Sequence, residues 1–163
     1  MATSTLIQYL ETERYGSLPG AGAEAVGPDS MNRRQVETFI AAGPIVAGAT
    51  VVLDITKAAD GDKAIYVLPS NTGSDDTTCF VGVALAAAPA AGDKVEVCVR
   101  GVCEATVLTA AAKGKLLYIT STAGALDDAA GSAPATDSSP VAVALETRGA
   151  GTGPITVFVR GTF

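Results

Sequence analysis

The chain reads as mainly β: a compact β-barrel or sandwich built from two similar four-strand halves, preceded by an extended N-terminal arm. Three observations carry this reading. Apolar residues make up 48% of the sequence but aromatics only 5%, so the interior must be built largely from Ala and Val, and 18 Gly supply turns. From Pro44 onward, short apolar runs of strand length alternate with turn residues. The run pattern then restarts at a nearly fixed spacing.

Residues 1–43 differ from the remainder and are assigned to the arm. Leu6, Ile7 and Leu10 fit one short helical face, which Gly16 and Pro19 end. Ser30 followed by Met31 to Ile40 fits either a capped turn or an extended run. Spaced apolar anchors in this segment, together with Arg33 and Arg34, predict an arm ordered by contact with a neighbouring subunit.

Residues 44–163 are assigned to the β-domain, divided at about 44–101 and 102–163. In the first half, Val51 to Ile55, Ala64 to Leu68, Cys79 to Leu85 and Val95 to Val99 read as strands. Ala59 to Asp62 reads as a turn and Asn71 to Thr77 as a polar loop. In the second half, Cys103 to Leu108, Leu116 to Thr120, Val141 to Leu145 and Ile155 to Val159 read as strands. Gly124 to Ser139 reads as a long loop, and Thr109 to Lys113 fits one helical turn.

The restart can be checked by spacing. Val81-Gly82-Val83-Ala84-Leu85 and Val141-Ala142-Val143-Ala144-Leu145 lie 60 positions apart, as do Val99-Arg100-Gly101 and Val159-Arg160-Gly161. Gly92 and Thr152 open matching turns, and Tyr66 and Tyr118 are taken to sit in equivalent strands. Two four-strand halves suit a barrel or a two-sheet sandwich.

The chemistry-bearing residues are sparse. The sequence has no His, which removes the commonest general base and zinc ligand. It contains no S-x-x-K, G-x-S-x-G or phosphate-cradling loop motif. No catalytic residue, cofactor or metal is predicted, and the chain is not expected to be an enzyme. Asp60 with Asp62, Asp75-Asp76 and Asp127-Asp128 read as turn and loop carboxylates. Cys98 and Cys103 read as small core residues; were Arg100-Gly101 a hairpin tip, they would face each other across two strands. Arg100 and Arg160 read as matched turn residues or as contacts to an acidic partner.

A net charge of −6 argues against nucleic acid and anionic membranes as partners. Met1 to Leu10 lacks a secretory-signal pattern, and no apolar stretch reaches membrane-spanning length. Synthesis in a reducing cytoplasm is therefore expected.

The series Val81 to Leu85, Gly92-Asp93-Lys94-Val95-Glu96-Val97, Val99 to Val102, Lys113 to Tyr118 and Val141 to Glu146 resembles a family of small β-rich bacteriophage head proteins. These are the decoration, or cement, proteins of phage capsids. The resemblance spans roughly residues 44–163 and excludes the arm. It implies a structural virion protein, made in the host cytoplasm and seated on the outer capsid surface. It implies a homotrimer whose partner is the major capsid protein and whose task is to stabilise the head. On that reading the arm clips adjacent capsomers through Leu6, Ile7, Tyr9, Tyr15, Arg33, Arg34, Phe39 and Ile40. Two other classes remain: a fibre- or adhesin-like module binding glycan or host, and a self-assembling shell subunit. The first normally uses exposed aromatics, and the chain has four Tyr, four Phe and no Trp.

Overall fold

The computed structural model describes residues 34–70, 79–120, 122–128 and 139–161. Among these residues the chain forms nine strands and one helical turn. The elements are β1 (Gln35–Ala41), β2 (Thr50–Leu53), α1 (Asp60–Lys63), β3 (Tyr66–Pro69), β4 (Phe80–Ala84), β5 (Lys94–Val107), β6 (Leu116–Ile119), β7 (Leu126–Asp128), β8 (Ala142–Ala144) and β9 (Gly153–Val159).

The strands close into two rings that share β5. The first runs β1-β3-β2-β4-β5 and closes by pairing β5 with β1; the second runs β5-β7-β6-β8-β9 and closes by pairing β9 with β5. Lys94 to Arg100 of β5 pairs with β1 and β4, and Gly101 to Val107 pairs with β9 and β7. At the changeover Gly101 has φ +108°, a backbone conformation that glycine adopts at little cost. The register opposite β1 also shifts there, so that Val36 faces Cys98 and Gln35 faces Arg100. One long strand thereby turns a corner and serves both barrels.

A five-strand barrel has a narrow interior, which explains the choice of small side chains. The first core holds Val51, Val67, Val81, Ala84, Val95 and Val97. The second holds Val107, Leu117, Leu126, Ala144, Ile155 and Val157. Along β5 the strand period places Val95, Val97, Cys103, Ala105 and Val107 inside, with Glu96 and Glu104 in solvent.

The halves correspond strand for strand, with matching register. Phe39 faces Val95 in the first barrel, and Ala105 faces Ile155 in the second. Val83 faces Cys98, and Val143 faces Phe158. Thr50 faces Val83, and Leu116 faces Val143. Ala41 and Val67 pair in parallel, as do Val107 and Leu126. Even the loop contacts recur: Ile45 bridges Ala88 as Ala111 bridges Arg148.

Each half therefore has five strands rather than four. The additional strand of the first half is β1, drawn from the segment assigned to the arm. Its first four residues, Gln35 to Thr38, are all exposed, and polar Gln, Glu and Thr on both faces break the apolar alternation that marks a strand. The additional strand of the second half is β7, inside the expected Gly124 to Ser139 loop and only three residues long. Four further expectations are corrected. Tyr66 lies on β3 and Tyr118 on β6, which are not equivalent strands. The turn glycine matching Gly92 (φ +92°) is Gly151 (φ +109°), one residue before Thr152. Residues 109–113 form no helical turn, because Ala111 is held in a bridge to Arg148. Arg100-Gly101 is a corner within β5, not a hairpin tip.

Candidate interaction surfaces

Of the residues proposed to contact a partner, Leu6, Ile7, Tyr9, Tyr15 and Arg33 lie outside the described residues. Arg34 is exposed immediately before β1. Phe39 and Ile40 belong to β1 and so to the first barrel, not to an arm. Phe39 packs against the first core. Ile40 is on the opposite face of the strand, half-buried, between Tyr66 of β3 and Lys94 of β5.

The two barrels are joined by more than β5. Residues 48–50 of the first barrel lie against Thr106 and Gly124 of the second. The Thr106 amide donates to the Gly48 carbonyl at 2.8 Å, the Thr50 amide to the Gly124 carbonyl at 2.9 Å, and the Gly124 amide to the Ser70 carbonyl at 2.8 Å. The Thr50 and Ser70 hydroxyls meet at 2.6 Å in the same junction, both fully buried. Gly124 has φ +72°, and a Cβ there would stand 2.8 Å from the Ala49 methyl. A side chain at position 124 would push the barrels apart.

Equivalent outer rows of the two barrels differ in exposure at three of four positions; at the fourth, Val36 is 39% exposed and its counterpart Val102 half-buried. In the first barrel, cross-strand partners Thr50, Val83 and Cys98 are all 0% exposed. Val83 and Cys98 belong to the same apolar cluster as the second core, so the second barrel covers this row. The matching row of the second barrel is Leu116, Val143, Phe158 and Val102, joined partner to partner across β6, β8, β9 and β5. Leu116 is 41% exposed, and the other three are half-buried. Leu145, two residues beyond Val143, adds a further exposed apolar side chain.

The acidic residues serve local structure. Asp60 pairs with Lys63 at 2.8 Å across α1. Asp127 is buried and lies on β7, not in a loop; it accepts the Thr109 hydroxyl at 2.5 Å and the Asp128 amide at 2.9 Å. Asp75 and Asp76 lie outside the described residues. Asp54, which sequence reasoning did not single out, is buried. It accepts the Thr56 hydroxyl at 2.5 Å and the Thr56 amide at 3.1 Å, with Lys57 at 3.6 Å. The Thr56 hydroxyl bond, aided by the amide and Lys57 and opposed by burial, holds its carboxyl below the ordinary range. No group of three or more potential metal ligands occurs among the described residues.

Cys98 and Cys103 come together despite the corner between them. Both thiols are buried and unoxidised. Hydrogen bonding between them, with burial, pushes the Cys103 thiol well above its ordinary value. Cys98 also donates to the Arg100 carbonyl at 3.5 Å.

This is a mainly β protein of two fused barrels. No protein-family model matches the chain, and no curated protein matches it. Among solved structures it is similar to the N base of head fiber gp8.5 of bacteriophage phi29. That similarity covers 77% of this chain and 93% of that one, at 14% identity and a TM-score of 0.49.

Proposed function

We propose that this chain is a structural protein of a bacteriophage head. It is made in the host cytoplasm and bound to the outer capsid surface, where copies acting as trimers cement neighbouring major capsid proteins. The family resemblance of residues 44–163 supports this reading, because the resembling segments form the barrel framework. Val81 to Leu85 covers all but the first residue of β4, Val95 to Val102 spans the corner of β5, Leu116 to Tyr118 lies on β6, and Val141 to Leu145 includes β8.

One observation carries the choice of protein neighbours, whether capsid protein or another copy of this chain: the apolar row Leu116–Val143–Phe158–Val102 on the outside of a small, closed barrel. Contiguous apolar surface of this kind favours a protein neighbour over a glycan, which normally stacks on exposed aromatic rings. Contacts that are modest singly gain strength when many copies bind one shell.

Sedimentation tests the reading. The purified protein is mixed with expanded phage heads of its own virus that lack it. Saturable co-sedimentation with the heads supports cementing. Protein left in the supernatant at every concentration, with binding to a glycan array, contradicts it.

A further inference from the structure

The duplication identifies a partner for the exposed row. Within one chain, Thr50, Val83 and Cys98 of the first barrel's outer row are covered by the second barrel, with Gly124 against Thr50 and Thr106 against Gly48 beside it. The row at the same register on the second barrel is apolar and more open, with Leu116 41% exposed and Val143, Phe158 and Val102 half-buried. The positions on the first barrel that match Thr106 and Gly124 are Ile40 and Ile65. Ile65 is 44% exposed and Ile40 half-buried. Each chain thus carries, on its two free sides, apolar counterparts of the two surfaces that meet internally.

We propose that the Leu116–Val143–Phe158–Val102 row is a self-association surface, covered by the Ile40–Ile65 side of a second copy of this chain. The internal interface explains why side chains would do this work between copies. In the second barrel, the Thr106 amide and the Gly124 carbonyl are spent on residues 48–50 of the first. In the first barrel, the Ile40 amide instead donates to the Ile65 carbonyl at 2.9 Å. That surface therefore offers two isoleucine side chains in place of open backbone groups.

The rims are complementary in charge. Lys113, Lys115 and Arg160 outnumber Glu104 and Glu146 beside the row. Asp54, Asp60, Asp62 and Glu96 outnumber Lys57, Lys63 and Lys94 beside Ile40 and Ile65. The contact is heterologous, one face of a copy meeting a different face of the next, so it closes into a ring or runs on as a chain according to the rotation between copies.

Analytical ultracentrifugation of the full chain, with no capsid present, tests this independently of capsid binding. The wild-type protein is expected to sediment above the monomer mass of 16.2 kDa. Leu116→Asp and Ile65→Asp each place a charge at a surface position that tolerates one in the monomer. Each is expected to weaken association by about 30-fold or more, with an unchanged circular dichroism spectrum. An equal mixture of the two variants retains one good contact per pair and is expected to form a species of twice 16.2 kDa, and nothing larger. A wild-type mass of 16.2 kDa at every concentration overturns the proposal. So does a variant that keeps the wild-type mass, or a mixture that stays monomeric.

Discussion

The hydroxyls of Thr50 and Ser70 lie 2.6 Å apart with both residues fully buried, at the seam where the first barrel meets the second. Each hydroxyl satisfies the other where water does not reach. Thr50→Val keeps the shape but strands the Ser70 hydroxyl, and is expected to cost about 1–3 kcal/mol. Adding Ser70→Ala removes the stranded group and should recover much of that loss. Urea denaturation of the single and double variants measures the difference, and additive losses would show that the pair does not couple.

Gly82 and Ala142 occupy the same place in the two halves, with different tolerance. A Cβ at position 82 would lie 2.2 Å from the Cys98 carbonyl oxygen and 2.8 Å from its carbon. Both atoms are backbone and cannot swing away. Gly82→Ala is therefore expected to separate β4 from β5 and to destabilise by about 1–3 kcal/mol or more. The reverse change in the second barrel, Ala142→Gly, should cost about 0.5–1 kcal/mol through chain entropy. Thermal unfolding of both variants checks the ordering.

Acid should loosen the turn after β2. The Asp54 carboxyl is held below its ordinary value of 3.8, first by the Thr56 hydroxyl. A group lowered in the folded state contributes stability that is full above its unfolded value and is lost as pH falls through the folded one. The window is therefore below pH 3.8. Thr56→Val removes the largest cause and should raise the Asp54 value, seen directly by carboxyl NMR titration. An unchanged titration would mean that Lys57 and the amide suffice alone.

Cys98 and Cys103 should resist thiol reagents in the folded protein. Both are buried in the second core cluster, and the Cys103 thiol is held protonated by its partner and by burial. Iodoacetamide labelling read by mass spectrometry is expected to modify these two only after denaturation. Rapid native labelling of either would contradict the packing of the corner.

Much of this architecture was legible in the sequence. The β class, the turn glycines and the duplication follow from strand-length apolar runs and from the Val81 and Val141 repeats. Two strands were hidden for physical reasons. In β1, Gln35, Glu37 and Thr38 disguise a strand whose inward residues are few. In β7, three residues that include two Asp look like loop text, yet Asp127 is buried because the Thr109 hydroxyl satisfies it. The exposed row was the least legible. Val102, Leu116, Val143 and Phe158 are far apart in sequence, and each looks like ordinary core. Only the register of four strands puts them on one outer face.

The most direct test of the proposed role is the stability of the head itself. Phage heads lacking this protein are compared with the same heads after saturation by it, and DNA release is followed during heating. The account predicts that saturation raises the release temperature, and that protein bound at a fixed number of copies per head is responsible. An unchanged release temperature at full occupancy would contradict cementing, and absence of binding would contradict placement on the capsid.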